Sequence, residues 1–222
     1  MSIASDPEAR AGFILANTAL IAPPHVPEIA LHLAHEAHDL WQRTEDELHA
    51  IGLEPPYWAF AWAGGQGLAR FILDNPQSVA GKRVLDFASG SGIVAIAAAM
   101  AGAQCVTAND IDPFCEAAIG LNAKANRVDV AFHDGDLTGE PFAGGFDVIL
   151  SGDVFYDSQM TQLLLPWFES ALAQGCRVLA GDPGRSYVPR ERLREIAVYQ
   201  VAVTRALEDS EVKRTTVWEF TG

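Results

Sequence analysis

Four aspartates stand where apolar runs end, and each is followed by residues that could build a site around it. Asp86 closes Arg83-Val84-Leu85-Asp86-Phe87 and precedes a loop of small residues, Ala88-Ser89-Gly90-Ser91-Gly92. Asp110 closes the next apolar run and is followed by Ile111, Asp112 and Pro113. Asp153 opens Asp153-Val154-Phe155-Tyr156-Asp157, and Asp182 opens Asp182-Pro183-Gly184-Arg185. Carboxylates in such places can accept hydrogen bonds from hydroxyl groups or pair with a cation.

The loop after Asp86 fits two cofactor classes. Gly90-Ser91-Gly92-Ile93-Val94-Ala95 matches the G-x-G-x-x-A fingerprint of dinucleotide sites, and Asp110 lies at about the spacing of a ribose-binding acid. In a dinucleotide fold, however, the first glycine comes directly off the strand, so that the helix N-terminus meets a pyrophosphate. Here a carboxylate ends the strand and Gly90 comes four residues later. Two unit charges about 4 Å apart repel by about 4 kcal/mol at an effective dielectric of about 20.

S-adenosylmethionine carries no phosphate; it has an α-ammonium, a carboxylate and a sulfonium. Asp86 can pair with the ammonium, directly or through water. N–H groups of the Gly90–Gly92 turn can receive the carboxylate, and Asp110 can take both ribose hydroxyls. The competing reading gives the acids capping work only: Asp86 in the turn, and Asp110 at the helix starting at Pro113, a job that also suits Asp112.

These acids need a scaffold that brings strand ends together. Apolar runs predict strands at 83–87, 104–109, 128–132, 146–151 and 176–181, then near 197–206 and 213–220. Between them lie helical patterns at 64–74, 92–101, 113–125, 158–173 and 189–196. Strands alternating with helices imply an α/β fold with a mostly parallel sheet and helices on both faces. The last two strands, joined by the short polar link Asp209-Ser210-Glu211-Val212, read as a hairpin, so one of them runs antiparallel. Open sheets of this kind bind ligands at the carboxyl ends of their strands, where the four acids fall.

The Pro-rich stretches at 22–27 and 53–58 mark off residues 1–55 as an N-terminal extension, leaving 56–222 as the main domain. The extension opens with a helix start, Asp6 as cap and Pro7 at the first helical position. The 222 residues are 49% hydrophobic, enough for a full core. A net charge of −14 repels phosphate backbones, which argues against nucleic acid and favours a basic partner such as a lysine-bearing protein surface; solubility alone would also explain it. No apolar run spans a bilayer, the N-terminus lacks a basic signal region, and the three cysteines form no disulfide or metal spacing. The expectation is a cytoplasmic protein that engages no membrane and holds no metal. His32, His35, Glu36 and His38 are the one grouping of metal-binding types, and His32, His35 and Glu36 would share a helical face. A solvent face or a docking surface explains them as well.

The stretch 83–97 followed by 106–113 resembles the seven-β-strand (class I) methyltransferases, a Rossmann-like fold, over residues 58–220. Ala88 replaces the first glycine of the usual acid-x-Gly-x-Gly-x-Gly pattern, which is acceptable if its φ is negative. Four further stretches, 56–76, 109–113, 152–157 and 181–185, are similar to the lysine methyltransferases that modify the β subunit of electron transfer flavoprotein, within a larger set bearing an Asp-x-x-Tyr motif after the fourth strand.

The resemblance implies S-adenosylmethionine as cofactor and a lysine-bearing protein, that β subunit, as substrate. It places Asp86, Ser89, Gly90 and Gly92 on the cofactor, with Asp110 and Ile111 at the ribose and adenine. Trp62 and the Gly64-Gly65-Gln66 stretch would close over it. Asp134 or Asp136 would reach the adenine end, and Asp136 is the preferred candidate. Asp153 would hold the incoming ammonium, with Tyr156 as its catalytic companion. Phe155 and Asp182 would line the lysine channel, and an aromatic face near a cation contributes ~0.5–2 kcal/mol. Arg185 is a further candidate beside Asp182. Trp58 and Trp62 could instead be core filling. The rivals are a methyltransferase of the same fold with another protein or a small molecule as substrate, and a non-catalytic module that binds S-adenosylmethionine.

Overall fold

The computed structural model describes residues 6–34, 55–203 and 212–222. His35, Glu36, His38 and the polar link Asp209–Glu211 lie outside the described residues. The chain begins with α1 (Pro7–Asn17), which Asp6 caps through the Glu8 N–H at 3.0 Å. Two short strands, β1 (Ala19–Ile21) and β2 (Leu31–Leu33), pair antiparallel. A 3-10 turn at Tyr57–Ala59 leads into α2 (Ala63–Asp74).

The main unit follows as β3 (Arg83–Phe87), α3 (Ile93–Met100), β4 (Cys105–Asp110), α4 (Pro113–Asn126), β5 (Ala131–Asp134), β6 (Val148–Gly152), α5 (Ser158–Ala173), β7 (Arg177–Asp182), β8 (Leu193–Ala202) and β9 (Val212–Phe220). Its seven strands lie in the order β5-β4-β3-β6-β7-β9-β8. Strand β9 is antiparallel to both β7 and β8, and the neighbouring pairs from β5 to β7 are parallel. The sheet direction changes course between β4 and β6, with β3 at the centre. Ligand crevices form at such switch points, outside the carboxyl ends of the strands.

Alternation along the strands divides the core in two. Val84, Leu150, Leu179 and Val217 face α2, α3 and α4. Leu85, Ile149, Val178 and Trp218 face the other way, onto Leu164, Trp167 and Phe168 of α5. The N-terminal residues join the first of these clusters. Ile14, Val26, Ile29, Leu31 and Leu33 are buried with Phe114 and Ile119 of α4, and Arg10 pairs with Glu116 at 2.8 Å.

Strand β3 matches its sequence-based bounds, the ends of most other strands differ by up to three residues, and β8 lies four residues earlier than expected at both ends. Residues 128–130, expected to start a strand, instead close α4: the Val128 N–H bonds to the Ala123 carbonyl, and β5 starts at Ala131. The expected helix at 189–196 is a larger departure. A 3-10 turn, Arg190–Arg192, is followed at once by β8, whose Leu193 pairs with Phe220. Arg194 and Glu195 suit a helix locally, but β9 offers a ladder, and charged residues on an edge strand discourage pairing with other chains. Both find cross-strand partners, Arg194 with Glu219 and Glu195 with Arg214. Among the described residues, no helix is long and apolar enough to cross a membrane.

Candidate active site

Helix α3 starts at a glycine that cannot cap it. Gly92 sits in the left-handed region at φ 77° and offers no side chain, so the strand-end acid does the work: Asp86 Oδ2 accepts the Ala95 N–H at 2.9 Å. Asp86 is 1% exposed. Burial pushes its carboxyl up to about 7, against the pull of the Ala95 and Ser89 hydrogen bonds. The loop between is stitched to β4. Ser89 Oγ donates to the Asp86 carbonyl at 2.7 Å and accepts the Asn109 N–H at 3.1 Å.

Asp110 holds the turn from the other side. Its Oδ2 accepts the Gly90 N–H at 2.9 Å, and its Oδ1 the Asp112 N–H at 3.1 Å. The Gly92 N–H bonds to the Ser89 carbonyl at 2.8 Å. Both glycine N–H groups expected to meet a ligand carboxylate thus have partners inside the chain. Ala88 departs from expectation as well: its φ is +53°, in the region that costs an L-residue roughly 1–2 kcal/mol, not the negative value foreseen. The loop is held at Ser89 and Gly90 firmly enough to impose that conformation on an alanine.

The second half of the site is built the same way. Trp62, the residue before α2, gives no side-chain cap, and Asp153 Oδ2 accepts the Gly65 N–H at 2.8 Å. The helix can approach so closely because four glycines meet there. A methyl group on Gly64 would lie 2.3 Å from the Gly181 carbonyl oxygen, and one on Gly152 would lie 2.8 Å from the Gly65 Cα. Asp153 itself has φ +61°, which aspartate tolerates better than most residues. Its Oδ1 accepts from Arg185 Nη2 at 2.9 Å. Fully buried Asp182 makes that contact possible: its Oδ1 accepts the N–H groups of Gly184 (2.6 Å) and Arg185 (2.8 Å), turning the chain back toward Asp153. Burial raises the Asp182 carboxyl to about 6, with the Asp153 charge adding to the rise.

Phe155 and Tyr156, expected to wall one channel, part company. Phe155 is 0% exposed and belongs to the core under α5, so it does not line an open channel; the chain turns inward at Val154 to meet that apolar helix face. Tyr156 is 53% exposed at the rim. Partial burial raises its phenol, and the charges of Asp157 and Asp110 and the nearby Tyr57 act in the same direction. Trp62 donates from Nε1 to the Tyr57 carbonyl at 3.1 Å, and that oxygen would lie 3.7 Å from a methyl group on Gly90. The segment from Tyr57 to Trp62 therefore stands over the glycine turn. Trp58 is core filling, stacked on Phe114 with centroids 5.8 Å apart. Gln66 donates from Nε2 to the Ala61 carbonyl at 2.7 Å.

Ile111 is 70% exposed directly beside Asp110, an apolar side chain left open to the crevice end of β4. Asp136 is exposed and closes a local turn, accepting from the Thr138 N–H and hydroxyl, both at 2.7 Å. His32 approaches Thr18 Oγ1 at 3.5 Å through Nδ1. Two contributors escaped the sequence reading. Buried Asn109 donates from Nδ2 to the carbonyls of His133 (2.9 Å) and Gly135 (2.8 Å), fixing the loop that carries Asp136. Tyr57 forms the rim beside Trp62. A polar residue inside the apolar run of β4 was the available signal for Asn109; Tyr57 had none beyond its Pro-rich setting.

Acids stand at the ends of β3, β4, β6 and β7, Asp86 and Asp182 buried and Asp110 partly open, an arrangement that accommodates positive charge better than a pyrophosphate. Together with the strand order and the antiparallel β9, this defines a class I methyltransferase. Solved structures agree on the fold. A ribosomal protein L11 methylase from Lactobacillus delbrueckii subsp. bulgaricus superposes with a TM-score of 0.53 at 21% identity, covering 73% of this chain and 81% of that one. Magnesium protoporphyrin IX methyltransferase from Synechocystis PCC 6803, solved with bound SAM, gives 0.52 at 16%, covering 70% and 79%. The family model described as ribosomal protein L11 methyltransferase (PrmA) matches residues 70–153.

Relatives named electron transfer flavoprotein beta subunit lysine methyltransferase run nearly the length of the chain. That of Xenopus laevis is 41% identical, covering 94% of this chain and 85% of its own. That of Homo sapiens is 36% identical, covering 97% and 83%. A homolog from Caenorhabditis elegans is 38% identical, covering 80% and 78%. The chain belongs to this family of electron transfer flavoprotein β-subunit lysine methyltransferases.

Proposed function

We propose that this chain transfers a methyl group from S-adenosylmethionine to a lysine side chain of the β subunit of electron transfer flavoprotein. The observation that carries the reading is the 35–41% identity to methyltransferases of that name over most of their length. The acid-lined crevice supports it independently of any name. We read residues 56–222 as the methyltransferase domain, residues 1–55 as an extension packed on it, and the compartment as cytoplasmic.

Asp86, Ser89, Gly90, Gly92, Asp110 and Ile111 form the cofactor side in this reading, with Trp62 above and Asp136 toward the adenine. When bound, the cofactor would supply a sulfonium-activated methyl group: the lysine ammonium first gives a proton to solvent, and the neutral Nζ then bonds to the methyl carbon as the sulfur–carbon bond breaks, leaving a methylammonium and a neutral thioether. Asp86 meets the ammonium, with water between where its burial prevents direct contact. Asp110 retains lone pairs beyond its two N–H bonds for the ribose hydroxyls.

On the substrate side, Asp153 receives the lysine and orients its nitrogen toward the methyl carbon, a geometric requirement of in-line displacement. Two carboxylates, Asp153 and Asp182, share one guanidinium, Arg185, which is 2.9 Å from the first and 4.0 Å from the second. Tyr156 offers its aromatic face at the entrance.

Incubation with radiolabelled S-adenosylmethionine tests this, with a lysate in one lane and recombinant electron transfer flavoprotein in another. Label on lysine of the β subunit is expected. Label on a different protein would keep the enzyme class and discard the substrate. Label on small metabolites alone would favour the rival of the same fold.

A further inference from the structure

Asn122 touches two segments that lie far from it in the chain and far from each other. It is fully buried in α4. Its Oδ1 accepts the N–H of His32, in β2, at 2.7 Å. Its Nδ2 donates to the carbonyl of Ser91, the middle residue of the Gly90–Gly92 turn, at 2.9 Å. One amide thus bridges the N-terminal strand and the glycine turn.

The turn needs outside support. Gly90 and Gly92 both have positive φ, at 52° and 77°. Glycine populates many conformations, so such a turn carries little stiffness of its own. Helix α4 supplies it from below: a methyl group on Gly92 would lie 2.9 Å from Ile119 Cγ1, so the turn rests directly on the helix one turn before Asn122. The bond to the Ser91 carbonyl then orients the peptide plane between Ser91 and Gly92. Strand β2 is locked to the same helix one turn further on, where Asn126 accepts the Ala30 N–H at 2.9 Å and donates to the Ala30 carbonyl at 2.6 Å.

We propose that Asn122 is a positioning residue through which β2 of the N-terminal segment holds the Gly90–Gly92 turn in its binding conformation and sets the affinity for S-adenosylmethionine. The proposal rests on reading that turn as part of the cofactor seat. A half-satisfied amide would turn toward whichever partner remains, so the bond to His32 matters at the turn even though His32 is not part of it.

Three variants separate this from a merely structural role. Asn122→Asp keeps an acceptor for His32 and removes the donor to Ser91. His32→Pro removes the N–H that Asn122 accepts; that N–H points away from β1, so the substitution spares the β1–β2 ladder. His32→Ala removes the ring and keeps the N–H. Calorimetric titration of each full-length protein with S-adenosylmethionine is the readout, beside the KM for the protein substrate. Asn122→Asp and His32→Pro should each weaken cofactor binding roughly tenfold, with the KM for protein substrate unchanged and His32→Ala binding as the wild type does. If Asn122→Asp fails to fold, His32→Pro decides alone. Unchanged cofactor affinity in a folded His32→Pro protein with a lowered melting temperature would overturn the proposal and leave Asn122 a structural tie. Absence of binding by the wild-type protein would instead sink the cofactor reading, and this inference with it.

Discussion

The N–H of Gly65 donates to Asp153 Oδ2 at 2.8 Å, and the same bond recurs between Ala95 and Asp86 at 2.9 Å. Each acid stands at or just past the end of a central strand and caps the third residue of a helix whose own N-cap residue, Trp62 or Gly92, makes no side-chain cap. The acids proposed to do chemistry are therefore also the acids that seat the helices around them. Substitutions at either position act on both roles, which decides how they should be tested.

Asp153→Asn is the cleaner probe of turnover. It keeps an oxygen for the Gly65 N–H and removes the charge that faces Arg185 and that is proposed to receive the substrate lysine. The rate should fall by about 100-fold or more, while cofactor affinity stays near wild type. Asp153→Ala should lose the rate too and about 1 kcal/mol of stability with the cap. A normal single-turnover rate in Asp153→Asn would remove this residue from the mechanism.

Asp110→Ala should act on affinity. It releases the N–H groups of Gly90 and Asp112 and removes the proposed ribose acceptor. Titration should show S-adenosylmethionine binding at least about tenfold more weakly, with kcat at saturating cofactor reduced little. An unchanged dissociation constant would mean the ribose is held elsewhere.

Asp86 makes a pH signature. Its folded carboxyl is raised to about 7 from an unfolded value near 3.8, with burial as the cause. Between those values the folded form holds a proton that the unfolded form has lost. Its contribution to stability is fully present below about pH 4 and is lost as pH rises through about 7. Urea unfolding at pH 5 and pH 8 should therefore show wild type losing stability relative to Asp86→Asn at the higher pH. Cofactor affinity should run the other way, rising as Asp86 ionises to meet the ammonium. A pH-independent difference between the two proteins would show that Asp86 is already charged at pH 5.

Gly64→Ala should be among the costliest small changes in the chain. The new methyl would lie 2.3 Å from the Gly181 carbonyl and 2.5 Å from Asp153 Oδ2, so α2 must lift off β6 and β7. About 3 kcal/mol or more of stability should be lost, read from chemical denaturation. Gly12→Ala, where nothing lies within 4 Å of the added methyl, should leave stability unchanged or raise it by up to about 1 kcal/mol. Equal effects of the two would mean that the glycine contact is not tight in solution.

The acids were legible because each closes or follows an apolar run and precedes a turn, and such punctuation is local. Asp6 and Asp112 were likewise readable as caps, and each accepts a helix N–H from two residues ahead. Other features depend on distant partners. Phe155 looked like a channel wall beside Tyr156, but α5 buries it. Arg185 reaches Asp153 across 32 residues, and Asn122 meets His32 across 90. No local pattern records such a meeting.

From its residues alone, this protein specifies an alternating α/β fold, a glycine turn after β3 and acids at four strand ends, since apolar periodicity and turn chemistry act over a few residues. Tertiary structure decided that 193–196 opens a strand rather than closing a helix, because β9 offers it a ladder. It decided that Ala88 takes a left-handed conformation, because β4 and Asp110 hold the turn that follows. It also decided that Asp153 meets its guanidinium and its helix N–H together, because glycines at 64, 65, 152 and 181 let backbones approach to a distance no side chain would permit.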